Sequence, residues 1–358
     1  AMAELKVGPT DKMHVDVGPV INRQARKTIT THIERMRAAG HAVVQPVLGC
    51  ETEQGTFVAP TIIEIDDIDQ LHREVFGPVL HVLRYARKYR SNVMAQINAT
   101  GYGLTFGLHS RIDETIAEIT ARAEVGNIYI NRNVIGAIVG VQPFGGRGLS
   151  GTGPKAGGPL YLGRLVKNAA RNTMIACGAV TAPVYGELAR FVRLNEGAPA
   201  PYDHEAPRLG SFVELPGPVG EKNLYGIRPR GRVLLMPTTI TGLCDQLLVI
   251  FATGNLPVLP DNGTTRALVD NLPKTIARHI QWTTDWRAEQ SFAQVLIEEA
   301  GKDIRPQLKA IAAQDGPIPI IQLGIGKGGY RTDWLVEEVV ISIDTTAAGG
   351  NASLLALV

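Results

Sequence analysis

The amino-acid sequence predicts an α/β fold with a mostly parallel sheet, followed by a second α/β region. Helix and strand signals alternate over residues 20–145, as they do when helices cover a parallel sheet. Residues 143–159 are mostly glycine, proline and small residues and interrupt this pattern. A second alternating pattern begins at residue 232. We therefore expect a first domain at residues 1–165, a helical connector and linker at 166–215, and a second domain at 216–358.

The first region opens with a long helix and continues with short strands. Apolar residues recur at the spacing of a helix face, and Gly40 follows as a stop signal. The apolar positions are Ile21, Ala25, Ile29, Ile33 and Met36. The strand candidates are residues 42–44, 57–58, 61–63, 79–83 and 128–130. Two shorter helices are predicted, with Ser91 and Asp113 as N-caps, and Gly126 is expected to end the second of them.

The second region repeats the alternation of strands and helices. An apolar helix is predicted at residues 243–252, and an amphipathic segment at 292–297. The strand candidates are residues 232–236, 258–259, 318–323 and 339–343. This arrangement again favours an α/β domain.

Charge and hydropathy argue against several classes of partner. The chain has 36 basic and 34 acidic residues, a net charge of +2, which gives no support for binding to nucleic acid or to an anionic membrane surface. No apolar run reaches the roughly 18 residues that span a bilayer, so we expect no transmembrane segment. Cys50, Cys177 and Cys244 are far apart and odd in number. They argue against a disulfide scaffold and indicate a cytoplasmic setting.

Two glycine patterns have the G-x-G-x-x-G form of dinucleotide-binding turns, but in other contexts. No strand precedes the pattern that starts at Gly146. The pattern that starts at Gly324 leaves about ten residues before the next strand, too few for a crossover helix. Both are predicted to be turns. The sequence contains no zinc-hydrolase, paired C-x-x-C or P-loop motif, so we expect no metal site.

The segment Glu74-Val-Phe-Gly-Pro78 combines a carboxylate, an aromatic ring and a turn just before a strand candidate. A glutamate in this position can accept hydrogen bonds from sugar hydroxyls while the phenylalanine ring packs on a ligand. Taken alone, however, a solvated glutamate beside a core phenylalanine is the simpler interpretation.

Four segments together resemble the aldehyde dehydrogenase superfamily in their order and spacing. They are Glu74–Pro78, Gly101–Thr105, Gly126–Asn131, and Pro143–Gly146 with Ser150-Gly151. Two runs, Asn131–Gly146 and Gly151–Pro159, resemble more narrowly the L-glutamate γ-semialdehyde (pyrroline-5-carboxylate) dehydrogenase module of the bifunctional proline utilization A family. The resemblance to the superfamily covers residues 5–165.

The resemblance implies binding roles for five residues. Glu74 would bind the nicotinamide ribose of NAD, with Phe76 beside it. The backbone of Gly136 and Ala137 would anchor the α-carboxylate of the substrate, glutamate semialdehyde. Small residues suit this role because their amides can approach an anion closely. Phe144 would pack against the aliphatic part of the substrate.

The resemblance also implies that the reacting groups lie elsewhere. The family uses a cysteine thiolate and a glutamate base, and both would lie upstream in the same polypeptide. We therefore expect this chain to contain no catalytic residue, to be inactive alone and to depend on the upstream half as its partner. The parent would also carry an FAD-dependent proline dehydrogenase. Homo-oligomer formation and peripheral membrane association of the parent stay open.

Residues from 166 onward resemble the extra C-terminal domain of the longer family members, and the run Ile343–Ser353 is typical of that group. Pro229–Val233 and Leu247–Asn255 are similar to parts of an aldehyde dehydrogenase cofactor domain. Pro237, however, stands where that domain has a loop with tryptophan and asparagine, and Pro260 stands near the place of the lysine that holds the adenosine ribose. We predict a degenerate, Rossmann-like and non-catalytic domain, with residual NAD binding as an open alternative, whose tail is a flap over the dehydrogenase.

Two hypotheses follow for the role of this chain. In the first, its residues complete an upstream active site. In the second, it is chiefly a structural module that closes a substrate tunnel or replaces an oligomer contact.

Overall fold

The computed structural model describes residues 1–166, 183–196, 210–289, 292–299, 301, 303–324 and 329–346. The chain divides into two compact units, Ala1–Thr100 and Gly101–Val358. None of the helices in the described ranges is long and apolar enough to cross a membrane.

Helices and strands alternate through both units. The helices within the described ranges are α1 Arg23–Ala38, α2 Arg90–Ala99, α3 Asp113–Arg122, α4 Pro183–Glu196, α5 Ile240–Ala252, α6 Gly263–Val269, α7 Lys274–Ala277 and α8 Arg305–Ala312. The strands are β1 Val43–Val44, β2 Thr61–Ile65, β3 Val79–Leu83, β4 Tyr102–Gly103, β5 Thr105–Leu108, β6 Asn127–Ile130, β7 Arg147–Gly148, β8 Phe212–Leu215, β9 Glu221–Pro229, β10 Arg232–Met236, β11 Leu256–Pro260, β12 Gln281–Thr283, β13 Gln294–Glu298, β14 Ile320–Gly324 and β15 Val336–Asp344.

The first unit contains a three-stranded sheet on which helix α1 packs. Strand β2 runs antiparallel to β1 and parallel to β3. The Asn22 side chain caps the helix by accepting a hydrogen bond from the Ala25 amide at 2.8 Å. Gly40 follows the helix with a φ of +90°, a conformation that favours glycine. The predicted long helix, its stop signal and the strand at 79–83 are confirmed.

Two predicted N-caps are wrong. Helix α2 begins at Arg90, so Ser91 lies inside its first turn. Helix α3 begins at Asp113 itself, where the carboxylate is favourable beside the positive end of the helix dipole but does not cap it. That helix ends at Arg122, before Gly126, which leads into β6.

The second unit contains a five-stranded, fully parallel sheet in the order β12-β11-β10-β13-β14. The chain runs outward from β10 to β12 and then resumes at β13 on the other side of β10. This reversal is the arrangement of doubly wound nucleotide-binding folds. The predicted Rossmann-like region is therefore confirmed. The segment expected to be amphipathic contains β13, a buried strand of this sheet.

Helix α5 forms the centre of the largest apolar cluster in this unit. Every residue from Gly242 to Ala252 is buried, so the helix must be covered on more than one face. Leu188 and Val192 of α4 belong to the same cluster as Leu243 and Leu247 of α5. The predicted apolar helix is confirmed, and α4 supplies part of its cover.

A second five-stranded sheet has the order β5-β6-β15-β9-β8. Strand β15 lies between β6, to which it is parallel, and β9, to which it is antiparallel. Val340 of β15 pairs with Asn127 of β6. The sheet therefore joins strands from the segment predicted as the first domain to strands that follow it. The predicted boundaries near residues 165 and 215 stay predictions.

Candidate functional site

Glu74 and Phe76 lie on an exposed turn of the first unit, just before β3. The Phe76 side chain is 82% exposed, so the simpler interpretation of a core phenylalanine is wrong. A Cβ added at Gly77 would lie 2.4 Å from Ile29 Cδ1, which shows how closely the turn approaches helix α1. The Glu74 carboxylate makes no hydrogen bond or ion pair with the residues that the structure describes. Both side chains are thus open to a ligand.

Gly136 and Ala137 lie in an exposed loop of the second unit, residues 132–142, which follows β6. Asn131 introduces the loop with a φ of +58°, and its side-chain oxygen accepts a hydrogen bond from the Ser110 amide at 3.0 Å. Gly136 has a φ of +83°, which a side chain would make unfavourable. Within the described ranges, neither the Gly136 nor the Ala137 amide has a hydrogen-bond acceptor. Two adjacent free amides can bind a carboxylate.

Phe144 is half-buried and follows this loop directly. Its amide and carbonyl exchange hydrogen bonds with Ala156 at 3.0 and 2.9 Å. The Asn127 side chain donates to the Pro143 carbonyl at 2.9 Å and accepts from the Gly145 amide at 3.2 Å. Both chain neighbours of Phe144 are therefore fixed to the start of β6.

Lys155 is a buried cation beside the Phe144 segment. Its ammonium donates to Asn127 Oδ1 at 2.8 Å and to the Gly145 carbonyl. Burial lowers the pKa of Lys155 to about 8, although nearby Glu338 and Glu337 act in the opposite direction. The ammonium holds these two acceptors together, which further fixes the backbone next to Phe144.

Glu338 of β15 completes this buried network. Its carboxylate accepts hydrogen bonds from the Lys155 amide at 2.6 Å and from the Tyr225 hydroxyl at 2.9 Å. Burial raises the pKa of Glu338, and these hydrogen bonds act against that increase. Next to it, Glu337 forms an ion pair with Arg147 at 2.9 Å. Strand β15 thus holds the segment that follows Phe144.

Sequence reasoning missed Lys155, Glu337 and Glu338. The strand was predicted to begin only at Val339, after the two acidic residues. An acidic pair inside the apolar run Val336-Glu-Glu-Val-Val-Ile was an available signal, because buried carboxylates require partners. Which partners they have could not be read from the sequence.

An open cleft of about 480 Å³ lies at the carboxyl ends of β10, β11 and β13. Glu298 lies at this end of the sheet, over the first turn of α5. Its carboxylate accepts hydrogen bonds from the Thr239 amide at 2.9 Å and the Thr238 hydroxyl at 2.9 Å. Burial alone would raise the pKa of Glu298, but the hydrogen bonds from Thr239 and Thr238 outweigh it and lower the pKa. An ionised carboxylate thus occupies the place where a helix N-terminus binds a phosphate.

The other candidates from the sequence add no reactive group to these sites. Cys50 is exposed, Cys244 is buried in α5, and Cys177 lies outside the described residues. The searched residues contain no group of three or more His, Cys, Asp or Glu side chains suited to a metal ion. The glycine pattern at Gly146, predicted to be a turn, contains the short strand β7 followed by a turn at residues 149–150, with positive φ at two of its glycines. Residues 325–328 and the tail, residues 347–358, lie outside the described ranges.

The site residues expected from the sequence fall into two groups. Glu74 and Phe76 share one turn of the first unit, and Gly136, Ala137 and Phe144 share one continuous segment of the second unit. Within the second unit, strands β9 and β15 hold that segment in place.

Comparisons with known proteins agree with the expected resemblance. Residues 1–167 match the aldehyde dehydrogenase family. The chain is 51% identical over 356 residues to the bifunctional protein PutA of Rhizobium meliloti, a match that covers 96% of this chain and 29% of that protein. It is 42% identical over 383 residues to PutA of Escherichia coli strain K12, covering 100% of this chain and 29% of the relative. The chain thus spans 29% of the length of these relatives.

A further relative covers the first part alone. The mitochondrial delta-1-pyrroline-5-carboxylate dehydrogenase of Homo sapiens is 35% identical over 166 residues, which are 45% of this chain and 30% of that protein. Among solved structures, proline utilization A from Corynebacterium freiburgense matches 96% of this chain and 33% of its own, with a TM-score of 0.69 and 23% identity. That likeness concerns the fold.

Proposed function

The chain matches the C-terminal part of the bifunctional PutA proteins, with residues 1–167 in the aldehyde dehydrogenase family, and on this basis we propose that it is part of an NAD-dependent L-glutamate γ-semialdehyde dehydrogenase. The parent polypeptide would oxidise proline to glutamate in the cytoplasm. An FAD-dependent proline dehydrogenase in another part of the polypeptide would carry out the first oxidation. The upstream half of the dehydrogenase would supply the cysteine nucleophile and the glutamate base.

The free amides of Gly136 and Ala137 are the observation that carries the proposal. They follow each other in a loop whose backbone conformation requires glycine at residue 136. Glutamate semialdehyde differs from a simple aldehyde by its α-ammonium and α-carboxylate groups. A pair of backbone donors provides what the carboxylate needs. Phe144, fixed on both sides by Asn127, supplies an apolar surface for the carbons between the carboxylate and the aldehyde.

The turn at Glu74 and Phe76 fits a nicotinamide nucleotide. An exposed carboxylate accepts hydrogen bonds from two ribose hydroxyls, and an exposed ring two residues away packs on an adjacent flat surface. NAD, when bound, supplies the acceptor for the hydride of the aldehyde. The residues of this chain bind and orient the cofactor and the substrate.

A second candidate function is a structural role for the later part of the chain. The position of β15 between β6 and β9 favours it, because the later strands extend a sheet that begins in the dehydrogenase segment. The tail that follows β15 could act either as a flap over the dehydrogenase or as an oligomer contact. Deleting the last ~15 residues from the parent protein distinguishes these two roles. Loss of dehydrogenase activity with intact folding supports a flap, and unchanged kinetics with an altered oligomer supports a structural contact.

The substrate is tested with the polypeptide that contains the upstream half and this chain. We expect NADH to form from glutamate semialdehyde with a much higher kcat/KM than from butanal, which has the same carbon chain without the carboxylate and ammonium groups. Equal kcat/KM values for the two aldehydes, or no NADH from glutamate semialdehyde, would contradict the proposal.

A further inference from the structure

Gln142 closes the 132–142 loop from within. Its side chain is buried, and its Oε1 accepts a hydrogen bond from the Ile138 amide at 3.0 Å. The backbone N–H of Gln142 in turn donates a hydrogen bond to the Ile138 carbonyl at 3.0 Å. Gln142 therefore holds both peptide groups of Ile138: its side chain holds the one directly after Ala137, and its backbone N–H holds the next one.

The nitrogen of the same side-chain amide bonds to two strands that lie much later in the sequence. Its Nε2 donates to Asn223 Oδ1 of β9 at 2.9 Å and to Ser342 Oγ of β15 at 3.1 Å. Glu221 of β9 is a third acceptor next to this nitrogen, so the two amide hydrogens are shared among three oxygens. None of these three partners lies in the segment that matches the aldehyde dehydrogenase family, residues 1–167.

The beginning of the loop is attached to the same strands. Arg132 donates to Ser342 Oγ at 2.8 Å and forms an ion pair with Glu221. The Arg132 and Glu221 side chains are 17% and 12% exposed, so solvent screens this pair little. Ser342 also donates to Glu221 at 2.6 Å, which joins the two attachments into one network.

The rest of the loop has little to restrain it. Gly136 and Gly140 both have positive φ, and an added Cβ at either would meet nothing within 4 Å. Ile135 and Val139 are largely exposed. Glycines in an open loop have high conformational freedom, and ordering them costs free energy on ligand binding. The two attached ends therefore determine where the free amides point.

We propose that Gln142 is a positioning residue for substrate recognition. Held by Asn223 and Ser342, it sets the loop in the geometry in which the Gly136 and Ala137 amides meet the α-carboxylate. The later strands β9 and β15 thereby determine specificity for an amino-acid aldehyde, although they touch no substrate. This inference rests on the proposed function, and preorganisation of the loop is its physical reason.

The test uses the parent polypeptide with Gln142→Met, which keeps the length of the side chain and removes its hydrogen bonds. We expect the KM for glutamate semialdehyde to rise about tenfold to a hundredfold, since small displacements of binding groups are costly. The kcat/KM for butanal should stay within about twofold, because butanal has no carboxylate for the loop to bind. A general structural defect would instead lower the kcat/KM for both substrates.

Ser342→Ala is the second variant, because it removes one hydroxyl and is less disruptive to folding. We expect a smaller rise in the KM for glutamate semialdehyde and again no change in the kcat/KM for butanal. Glu214→Gln, at an exposed residue of β8, is the matched control and should change neither. Unchanged KM values for glutamate semialdehyde in both variants, or an equal decrease in kcat/KM for both aldehydes, would overturn the inference. Either result would leave the proposed function in place. Absence of activity on glutamate semialdehyde in the unsubstituted parent would instead contradict the proposed function.

Discussion

The Glu338 carboxylate accepts a hydrogen bond from the Lys155 amide at 2.6 Å and joins strand β15 to the segment that follows Phe144. Glu338→Ala should leave the buried Tyr225 hydroxyl and the Lys155 amide without this acceptor. Leaving a buried donor without an acceptor costs about 1–3 kcal/mol, so the two donors together predict a loss of roughly 2–6 kcal/mol in the free energy of unfolding. Glu338→Gln keeps an acceptor oxygen and should cost less. Denaturant unfolding followed by circular dichroism measures both, and a Glu338→Ala curve equal to that of the exposed-site control Glu214→Gln would contradict the role.

His32 of α1 and His81 of β3 lie with their Nε2 atoms 2.8 Å apart. Burial, and then the neighbouring His81, lowers the pKa of His32 from 6.5 to about 4. Burial also lowers the pKa of His81. Between those values the unfolded chain binds more protons than the folded chain, so stability falls as the pH drops from 6.5 towards 4.

We therefore expect the melting temperature of the chain to decrease on acidification through this range. His81→Leu should make the decrease shallower, whereas His14→Gln, at an exposed histidine, should leave it unchanged. Thermal unfolding at several pH values measures this. A melting temperature that rises on acidification would show that the sign is wrong.

Glu298 occupies the N-terminus of α5, so Glu298→Ala should expose the Thr238 and Thr239 amides. A helix N-terminus with free amides binds phosphate groups. We expect the unsubstituted chain to bind no inorganic pyrophosphate and the variant to bind it measurably by calorimetry. Glu299→Ala, at the exposed neighbouring residue, is the control. Pyrophosphate binding of equal strength to all three proteins would show that Glu298 does not close this position.

Phe76→Ala and Glu74→Gln should weaken the binding of NAD to the parent enzyme. The lost packing and the lost charged hydrogen-bond acceptor predict about a tenfold rise in the KM for NAD for each. Thermal unfolding should not change, because both side chains are exposed. Tyr85→Ala removes another exposed aromatic ring from the same unit and should leave the KM unchanged. An unchanged KM for NAD in the Phe76 and Glu74 variants would remove them from the cofactor site.

Local patterns in the sequence were sufficient for many individual elements. The apolar spacing from Ile29 to Met36 gave helix α1, and the long apolar run gave α5, because burial of one face or of a whole helix leaves a direct trace in the order of residues. N-caps at Ser91 and Asp113 were wrong because a capping residue type also occurs within the first turn.

Long-range neighbours could not be predicted in this way. Arg132 donates a hydrogen bond to Ser342, which lies 210 positions later, and the local sequence around either residue does not indicate the other as its partner. The same holds for Gln142 with Asn223 and for Lys155 with Glu338. The family motifs made Gly136, Ala137 and Phe144 candidates for the substrate site, but the strands that hold their segment became visible only with the fold.

The central claim is that this chain binds and orients the substrate and cofactor of a dehydrogenase whose nucleophile lies in the upstream half. Its most direct test compares NADH formation from glutamate semialdehyde by the purified 358-residue chain and by the same chain joined to the upstream half. We expect no turnover by the chain alone and turnover by the joined polypeptide. NADH formation by the chain alone, or none by the joined polypeptide, would contradict the claim.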